Sequence, residues 1–439
     1  MTINKKIHFI GINGSGSSGA AILAKKMGFD VTGCDSNMDT PYAAQVRDAR
    51  IPVFAGHDAS HVNDADIVAS VTSLTKLPEA IAAGNKLISW QEFLGKYILP
   101  AKRTVAVAGT HGKTTTSSMM ASVMIAAGFD PTALIGAIVP EWGSSNRFGS
   151  GDFAVIEADE YANNFAPYHP DYVILNNIEM EHPEYFTDFE HYKKTFRDFL
   201  AGANRQGTLV YNADDANVVE LITAFPGKKI PFSVRGIKII ADGAGQDFDG
   251  FHINLLGSHN VANATAVITM ARELGIPDDI TRAALAKFRG AGHRLEKIFE
   301  NDRITIFDDY AHHHTQAEKT INAVRDAYPD AHIIVVYEPH QISRYTQNTA
   351  DTLAALARAD ESIITEFWRG RESHLPVPDA VADIEKSGYK NIRYIPDINK
   401  SADAAFTAAN AHTGKSVILV MGAGQSWKIA KALKEKFEY

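Results

Sequence analysis

Short runs of consecutive apolar residues recur along the chain, separated by stretches with helical patterning. The runs include Ile7–Ile12, Ile67–Val71, Thr104–Ala108, Phe153–Ile156, Tyr172–Leu175, Thr208–Tyr211, Ile304–Phe307, His332–Tyr337 and Ser416–Met421. Helical patterns lie between many of them, most clearly over Ser117–Ala127 and Ala262–Leu274. Strands that alternate with helices predict parallel sheets joined by crossover helices, an α/β architecture. The pattern breaks twice. Pro100 follows a helix-like stretch just before a new strand, and Arg289-Gly290-Ala291-Gly292-His293 precedes another strand-rich block. These breaks divide the 439 residues into segments 1–97, 98–290 and 291–439, each of ordinary domain size.

Two strand ends carry glycine-rich turns. The first strand runs into Gly11-Ile12-Asn13-Gly14-Ser15-Gly16-Ser17-Ser18-Gly19, followed by a helix-compatible segment from Ala20 to Met27. Gly14, Gly16 and Gly19 fit G-x-G-x-x-G, whose small residues let the backbone approach a diphosphate at a helix N-terminus. Ser15 and Ser17 lie within the same loop, and Asp35 ends a second strand where such folds often hold a ribose. The segment 1–97 is therefore expected to be Rossmann-like and to bind a diphosphate. The motif alone leaves open whether that is NAD or a nucleotide-sugar.

The second turn is Gly109-Thr110-His111-Gly112-Lys113-Thr114-Thr115-Thr116, at the end of strand Thr104–Ala108. It is the tail of a P-loop in a shortened form, with Val107 where the usual upstream glycine would fall. Backbone N–H groups of such a loop cradle phosphates; Lys113 would reach the β/γ-phosphates and the Thr114 hydroxyl would bind Mg²⁺. ATP is the expected ligand. The metal also needs an acid from a neighbouring strand end. Glu157-Ala158-Asp159-Glu160 follows an apolar strand, with Asp159 and Glu160 as the candidates. Another strand end, Asn176-Asn177-Ile178-Glu179-Met180-Glu181-His182, adds His182 as a ligand for a second metal.

Composition narrows the field. Forty-three Lys and Arg against 52 Asp and Glu give a net charge of −9, against a general nucleic-acid binder. Cys34 is the single cysteine, which rules out an intramolecular disulfide and a framework of cysteine metal ligands. Seventeen histidines leave His/carboxylate metal sites open. No apolar stretch reaches the length of a membrane span, and no secretory signal pattern stands at the start, so a cytoplasmic location without membrane association is expected.

The motifs at 109–116, 157–160 and 177–182 resemble, in order and spacing, the central domain of the Mur ligase family of peptidoglycan synthesis. The resemblance extends through Leu256-Gly257-Ser258-His259-Asn260 with Asn263, Gly292-His293-Arg294-Leu295-Glu296, Asp308-Asp309-Tyr310-Ala311-His312-His313, Glu338-Pro339-His340 with Arg344, and Gly422-Ala423-Gly424. It implies three α/β domains: an N-terminal Rossmann-like parallel sheet, a central P-loop ATPase-type domain and a C-terminal Rossmann-like domain. It also implies ATP-driven amide formation, in which the carboxylate of UDP-N-acetylmuramate becomes an acyl phosphate that an amine attacks.

On that resemblance, Gly14, Ser15, Gly16, Ser17 and Asp35 would bind the UDP-sugar, with Ser70 and Thr72 as weaker candidates. Gly109, Thr110, His111, Gly112, Lys113, Thr114 and Thr115 would hold the ATP phosphates, with Arg294 neutralising phosphate oxygens. Asn260 and Asn263 would serve the adenine and Asp308 the ribose. Thr114 and Glu160 would bind one Mg²⁺, Glu160 and His182 another. Arg344 would hold the amino-acid carboxylate, with Tyr310 and His340 orienting the substrate. Pro339–Arg344 and Met421–Gly424 resemble the member that attaches L-alanine. Glu157–Tyr161 and Leu175–Glu179 also resemble the recycling member that attaches the tripeptide L-Ala-γ-D-Glu-meso-diaminopimelate, so both stay open. Two positions depart from the family pattern, His314 where proline is usual and Trp427 where a small residue is common. An NAD-dependent oxidoreductase with an accessory ATPase domain is the rival reading from another class. Its weakness is that a dehydrogenase has no use for Lys113, Glu160 and His182 in register.

Overall fold

A computed structural model describes residues 5–40, 42–71, 74–183, 185–242, 245–370 and 372–438. They fall into two compact units. The first comprises Met1–Glu181, Tyr185–Arg235 and Ala262–Phe288; the second comprises His182–Glu184, Gly236–Val261 and Arg289–Tyr439.

The first unit contains two sheets. The N-terminal one is built from β1 (Lys6–Ile10), β2 (Asp30–Asp35), β3 (Val53–Ala55), β4 (Ile67–Ser70) and β5 (Leu87–Ser89), in the spatial order β3-β2-β1-β4-β5. Every pairing is parallel. Alternation along β1 sorts its side chains. Ile7 and Phe9 join a large core with Leu23 and Phe93, whereas Ile10 packs on the other face with Cys34 and Val68. Both faces being covered explains why the strand reads as a continuous apolar run. The chain reverses its direction of spread between β1 and β4, so their carboxyl ends flank the crevice where open α/β sheets bind ligands.

The larger sheet of this unit is built from β6 (Arg103–Ala108), β7 (Thr132–Val139), β8 (Ser144–Arg147), β9 (Phe153–Glu157), β10 (Tyr172–Leu175), β11 (Thr208–Asn212) and β12 (Lys228–Phe232). Its order is β12-β11-β10-β6-β9-β7-β8, parallel except for the antiparallel β7–β8 edge. Strand β6 lies between β9 and β10, so the loop that leaves it is flanked by the ends of both.

The second unit contains a small antiparallel sheet, β13 (Ile239–Asp242), β14 (Gly245–Phe248) and β15 (Phe251–Ile253). It also contains a six-stranded sheet of β16 (Glu296–Glu300), β17 (Ile304–Asp309), β18 (His332–Tyr337), β19 (Glu361–Ile364), β20 (Ile392–Tyr394) and β21 (Ser416–Met421), ordered β16-β17-β21-β18-β19-β20. Only β16 pairs antiparallel in that sheet. Strands β17, β18 and β21 are almost wholly buried, and their Ile, Val and Leu side chains separate into one core on each face.

The predicted α/β fold with three parallel-dominated sheets is the one observed. Each apolar run named above falls on a strand, with ends displaced by two residues at most. One expectation needs correction. The first helix begins at Ser15, not near Ala20, so Gly16 and Gly19 lie inside it rather than in the turn. Packing is the reason. A Cβ on Gly16 would lie 2.4 Å from the Trp90 ring, and one on Gly19 would lie 2.2 Å from Leu134 on β7. The small sheet β13–β15 was not anticipated, because its short strands are interrupted by Asp and Gly and read as a loop. Among the described residues no helix is long and apolar enough to cross a membrane.

Candidate active site

The loop after β6 is built around two glycines that a side chain would not fit. Gly109 has φ 134° and Gly112 φ 81°, both in the region that favours glycine. A Cβ on Gly109 would lie 3.0 Å from the Asn177 carbonyl oxygen, and one on Gly112 would lie 2.5 Å from Asn263 Oδ1. The loop is held from the neighbouring β10 end. Thr110 N–H donates to the Asn177 carbonyl (2.9 Å) and His111 N–H to Asn177 Oδ1 (2.8 Å). Asn177 Nδ2 donates back to the His111 carbonyl at 3.0 Å. His111 Nε2 also lies 3.0 Å from Glu179 Oε2.

The helix Lys113–Ala126 starts directly on this loop. Lys113 Nζ donates to the Gly109 and Thr110 carbonyls (2.6 and 3.1 Å) and to Glu160 Oε2 (2.8 Å). Glu160 is fully buried, and its other oxygen accepts from the Tyr192 hydroxyl at 3.0 Å. Burial opposes the charge on Lys113, but Glu160, Asp159 and Glu157 outweigh it and hold the ammonium above the ordinary lysine value. Burial, reinforced by the Glu160 charge, pushes the Tyr192 phenol far up, so it stays a donor.

Thr114 points elsewhere than expected. Its hydroxyl lies 3.0 Å from each oxygen of Glu157, the last residue of β9, and Glu157 also accepts the Gly136 N–H at 2.8 Å. The acid beside the loop threonine is therefore Glu157, while Glu160 serves Lys113. The sequence reading had put Glu160 beside Thr114. Asp159 is occupied with Asn164 Nδ2 (2.8 Å) and the Tyr161 N–H. Thr115 is buried on the same helix. The signal that could have found Glu157 is that it, not Glu160, is the strand's last residue, paired with Val107.

In the N-terminal sheet, Gly14 caps the first helix with no side-chain hydrogen bond, and Ser15 is the first helical residue. Ser17 Oγ donates to the Gly11 carbonyl, so it fastens the loop. Asp35 accepts the N–H groups of Asn13 and Asn37, both at 2.9 Å. Ser70 is buried at the end of β4, its hydroxyl donating to the Val71 carbonyl. Thr72 lies outside the described residues.

The second unit carries the other expected residues. His182 adopts φ 57°. Asn260 Nδ2 donates to the Leu256 carbonyl at 2.8 Å, whereas Asn263 belongs to the first unit, beside Gly112. At the end of β17, Asp308 Oδ2 lies 2.6 Å from His293 Nδ1, a hydrogen bond that raises the imidazole pKa. The other Asp308 oxygen is buried without a hydrogen-bond partner among the described residues. Burial lifts Asp309 to about 6, although its carboxylate accepts the Ala311 N–H. The Arg294 guanidinium lies over the Tyr310 ring, 4.7 Å from its centre. Beyond β18, Glu338 accepts the N–H groups of Gly424, Gln425 and Ser426, tying the β18 end to the loop after β21. Arg344 is buried, and its Nη1 donates to the His340 carbonyl at 3.0 Å and lies 3.2 Å from His340 Nδ1. His314 heads the helix that follows β17. Trp427 is more than one-third exposed.

A glycine loop that places a lysine and a threonine at a helix start, each matched to its own buried or half-buried acid, defines a P-loop enzyme of the α/β class. Three family models match the chain: the Mur ligase family, catalytic domain, over residues 6–100; the Mur ligase middle domain over 107–271; and the Mur ligase, glutamate ligase domain over 293–424. The chain belongs to the Mur ligase family. It is 34% identical to the UDP-N-acetylmuramate–L-alanine ligase of Sulfurihydrogenibium sp. (strain YO3AOP1), over 98% of both chains. The crystal structure of the UDP-N-acetylmuramate-alanine ligase of Thermotoga maritima superposes with a TM-score of 0.82 at 26% identity, over 99% of both chains. A murein peptide ligase of Psychrobacter arcticus shares the fold, with a TM-score of 0.70 at 24% identity over 98% of both chains.

Proposed function

We propose that this chain joins L-alanine to the carboxylate of UDP-N-acetylmuramate, driven by ATP, in peptidoglycan precursor synthesis. The reading is supported by the loop that seats Lys113 on Glu160 and Thr114 on Glu157. It is supported equally by full-length similarity to ligases of that name. The substrate carboxylate attacks the γ-phosphorus of ATP, forming the acyl phosphate and ADP. The alanine ammonium loses one proton to become the attacking amine, the amine adds to the acyl carbon, phosphate leaves, and the nitrogen loses a second proton, keeping one as the amide N–H. A carboxylate and a triphosphate repel each other, so the site must supply positive charge. Lys113 does this at the β/γ-phosphates, and Arg294 at phosphate oxygens.

The oxygen donors Thr114 Oγ1, Glu157 and Glu160 suit a hard dication, and Mg²⁺ held by them would neutralise phosphate charge, with His182 a candidate ligand of a second ion. Gly109–Thr115 wrap the phosphates, Asp308 takes the ribose through its unpaired oxygen, and Asn260 and Asn263 take the adenine side. Gly14–Ser17, Asp35 and Ser70 bind the UDP-sugar in segment 1–97. Arg344, Tyr310 and His340 receive the amino acid in segment 291–439, and segment 98–290 holds ATP. A cytoplasmic location goes with these substrates.

The test is phosphate release from ATP and Mg²⁺ with UDP-N-acetylmuramate, adding L-alanine, glycine, L-serine or the tripeptide in turn. Release that requires both the UDP-sugar and L-alanine is expected. Release with the tripeptide alone would move the chain to the recycling ligases. A second expectation concerns Arg344→Ala, which should raise the KM for L-alanine roughly tenfold while leaving that for ATP unchanged, the loss of one charge-assisted carboxylate contact. Equal effects on both substrates would make Arg344 a purely structural residue.

A further inference from the structure

The N-terminal sheet holds a second group of chemically active side chains, which the ligase reaction does not use. It sits on the face of the sheet where Ile10, Cys34 and Val68 pack. Cys34 lies near the end of β2 and is fully buried. Glu79, on the helix Pro78–Ala83, is fully buried as well. His57 and His61 come from the segment after β3, with side chains only 17% and 15% exposed. The buried His8 projects from β1 toward the same place, and the Phe54 ring stacks on His61 at 4.6 Å.

Among Cys34, His57 and Glu79 the distances are those of a ligand shell. Cys34 Sγ lies 3.2 Å from Glu79 Oε1 and 3.6 Å from His57 Nδ1. His57 Nδ1 lies 3.2 Å and His61 Nδ1 3.3 Å from the same Glu79 oxygen. Tetrahedral zinc, with bonds of about 2.3 Å to sulfur and about 2.0–2.1 Å to nitrogen and oxygen, separates adjacent ligand atoms by about 3.3–3.6 Å. Donor atoms of Cys34, His57 and Glu79 all lie within 4.8 Å of one another, and so do those of Cys34, His8 and His61.

Hydrogen bonding leaves the cluster incomplete. Glu79 Oε1 accepts the Asp58 N–H at 2.8 Å, but among the described residues Glu79 Oε2 and His8 Nε2 are buried without a hydrogen-bond partner. Buried polar atoms left this way are costly unless something else satisfies them. Cys34 contributes a thiol that burial keeps protonated, the form it holds until a cation displaces the proton.

We propose that Cys34, His57 and Glu79 form a zinc-binding centre in the N-terminal domain, with His61 beside it. Binding releases the Cys34 thiol proton to solvent as the zinc–sulfur bond forms. The thiolate and the carboxylate then offset the two positive charges, so the buried site becomes neutral. The mixed sulfur, nitrogen and oxygen donor set favours Zn²⁺ over Mg²⁺, which prefers oxygen alone. The centre would also fix the end of β2. The Cys34 carbonyl accepts the Gly11 N–H at 2.8 Å, and Asp35 beside it holds Asn13, so zinc would brace the glycine loop.

The test uses the full-length protein, freed of metal by a chelator and then titrated with Zn²⁺ or Co²⁺ in excess Mg²⁺. One tightly bound zinc per chain is expected, and the cobalt form should show a thiolate-to-cobalt charge-transfer band. Cys34→Ser should abolish that band, and His57→Ala should weaken zinc binding by about a hundredfold or more. His57 is partly exposed, so this variant keeps the test alive if Cys34→Ser fails to fold. Lys113→Ala, altered only at the P-loop, should retain both zinc and band. Absence of stoichiometric zinc, or zinc binding unchanged in both cluster variants, would overturn the proposal. Neither result bears on the ligase reaction, which is read by phosphate release.

Discussion

The two glycine loops of the first unit have the same plan and different chemistry. Each leaves the first strand of its sheet at a point where strand order reverses, and each opens a helix. The loop after β1 is fastened by neutral or backbone-directed groups: Ser17 on Gly11, and Asp35 on the N–H groups of Asn13 and Asn37. The loop after β6 adds a cation and two acids, Lys113 on Glu160 and Thr114 on Glu157. Free N–H groups at a helix start suffice to hold a diphosphate that does not react. A phosphoryl group in transfer accumulates charge and needs a cation placed in advance. Under the proposed function, the contrast would give binding to one loop and chemistry to the other.

The sharpest way to break that contrast is Lys113→Ala. If the second loop carries chemistry, phosphate release should fall about 10³-fold, the scale of losing one preorganised charge at a transition state. Steady-state release assays at saturating UDP-sugar check it; near-normal turnover would reduce the loop to a binding device. Glu157→Gln sharpens the division between the acids and should have a smaller effect. It keeps the shape and a hydrogen-bond acceptor for Thr114 but removes the charge. Turnover at limiting Mg²⁺ should drop roughly 10- to 100-fold and recover in part as Mg²⁺ is raised, since a ligand's charge sets metal affinity. If Mg²⁺ does not restore activity, Glu157 only positions Thr114.

This division of acids marks how far the sequence was legible. The strands were readable because both faces of each sheet are covered, which writes apolar runs into β1, β6, β17 and β21. The P-loop was readable because Gly109, Gly112 and Lys113 are demanded by backbone conformation and charge together. Which acid faces Thr114 was not, because only two residues separate Glu157 from Glu160 and the turn between them is set by tertiary contacts, Tyr192 above all. The zinc cluster was invisible for a related reason. Cys34, His57 and Glu79 come from a strand, a loop and a short helix with no motif spacing, and only the sheet order brings them to one face.

The smallest effect tests whether the first loop's glycines serve packing or ligand. Gly19 lies within the helix, one turn past the loop, and a Cβ there would lie 2.2 Å from Leu134 Cδ1 on β7. Alanine itself favours a helix by roughly 1 kcal/mol over glycine. The overlap with Leu134 costs about 1–3 kcal/mol, as overpacking does. The sum leaves Gly19→Ala destabilised by about 1 kcal/mol, measurable as a lower urea midpoint with unchanged slope. Leu134→Ala in the same chain opens the space, so the pair should be non-additive and the double variant should regain the helix gain of alanine. If Gly19 instead gave room to the diphosphate, Gly19→Ala would raise the KM for the UDP-sugar and Leu134→Ala would not restore it. The two loops would then differ less than their contacts indicate, since both would depend on glycine at the ligand itself.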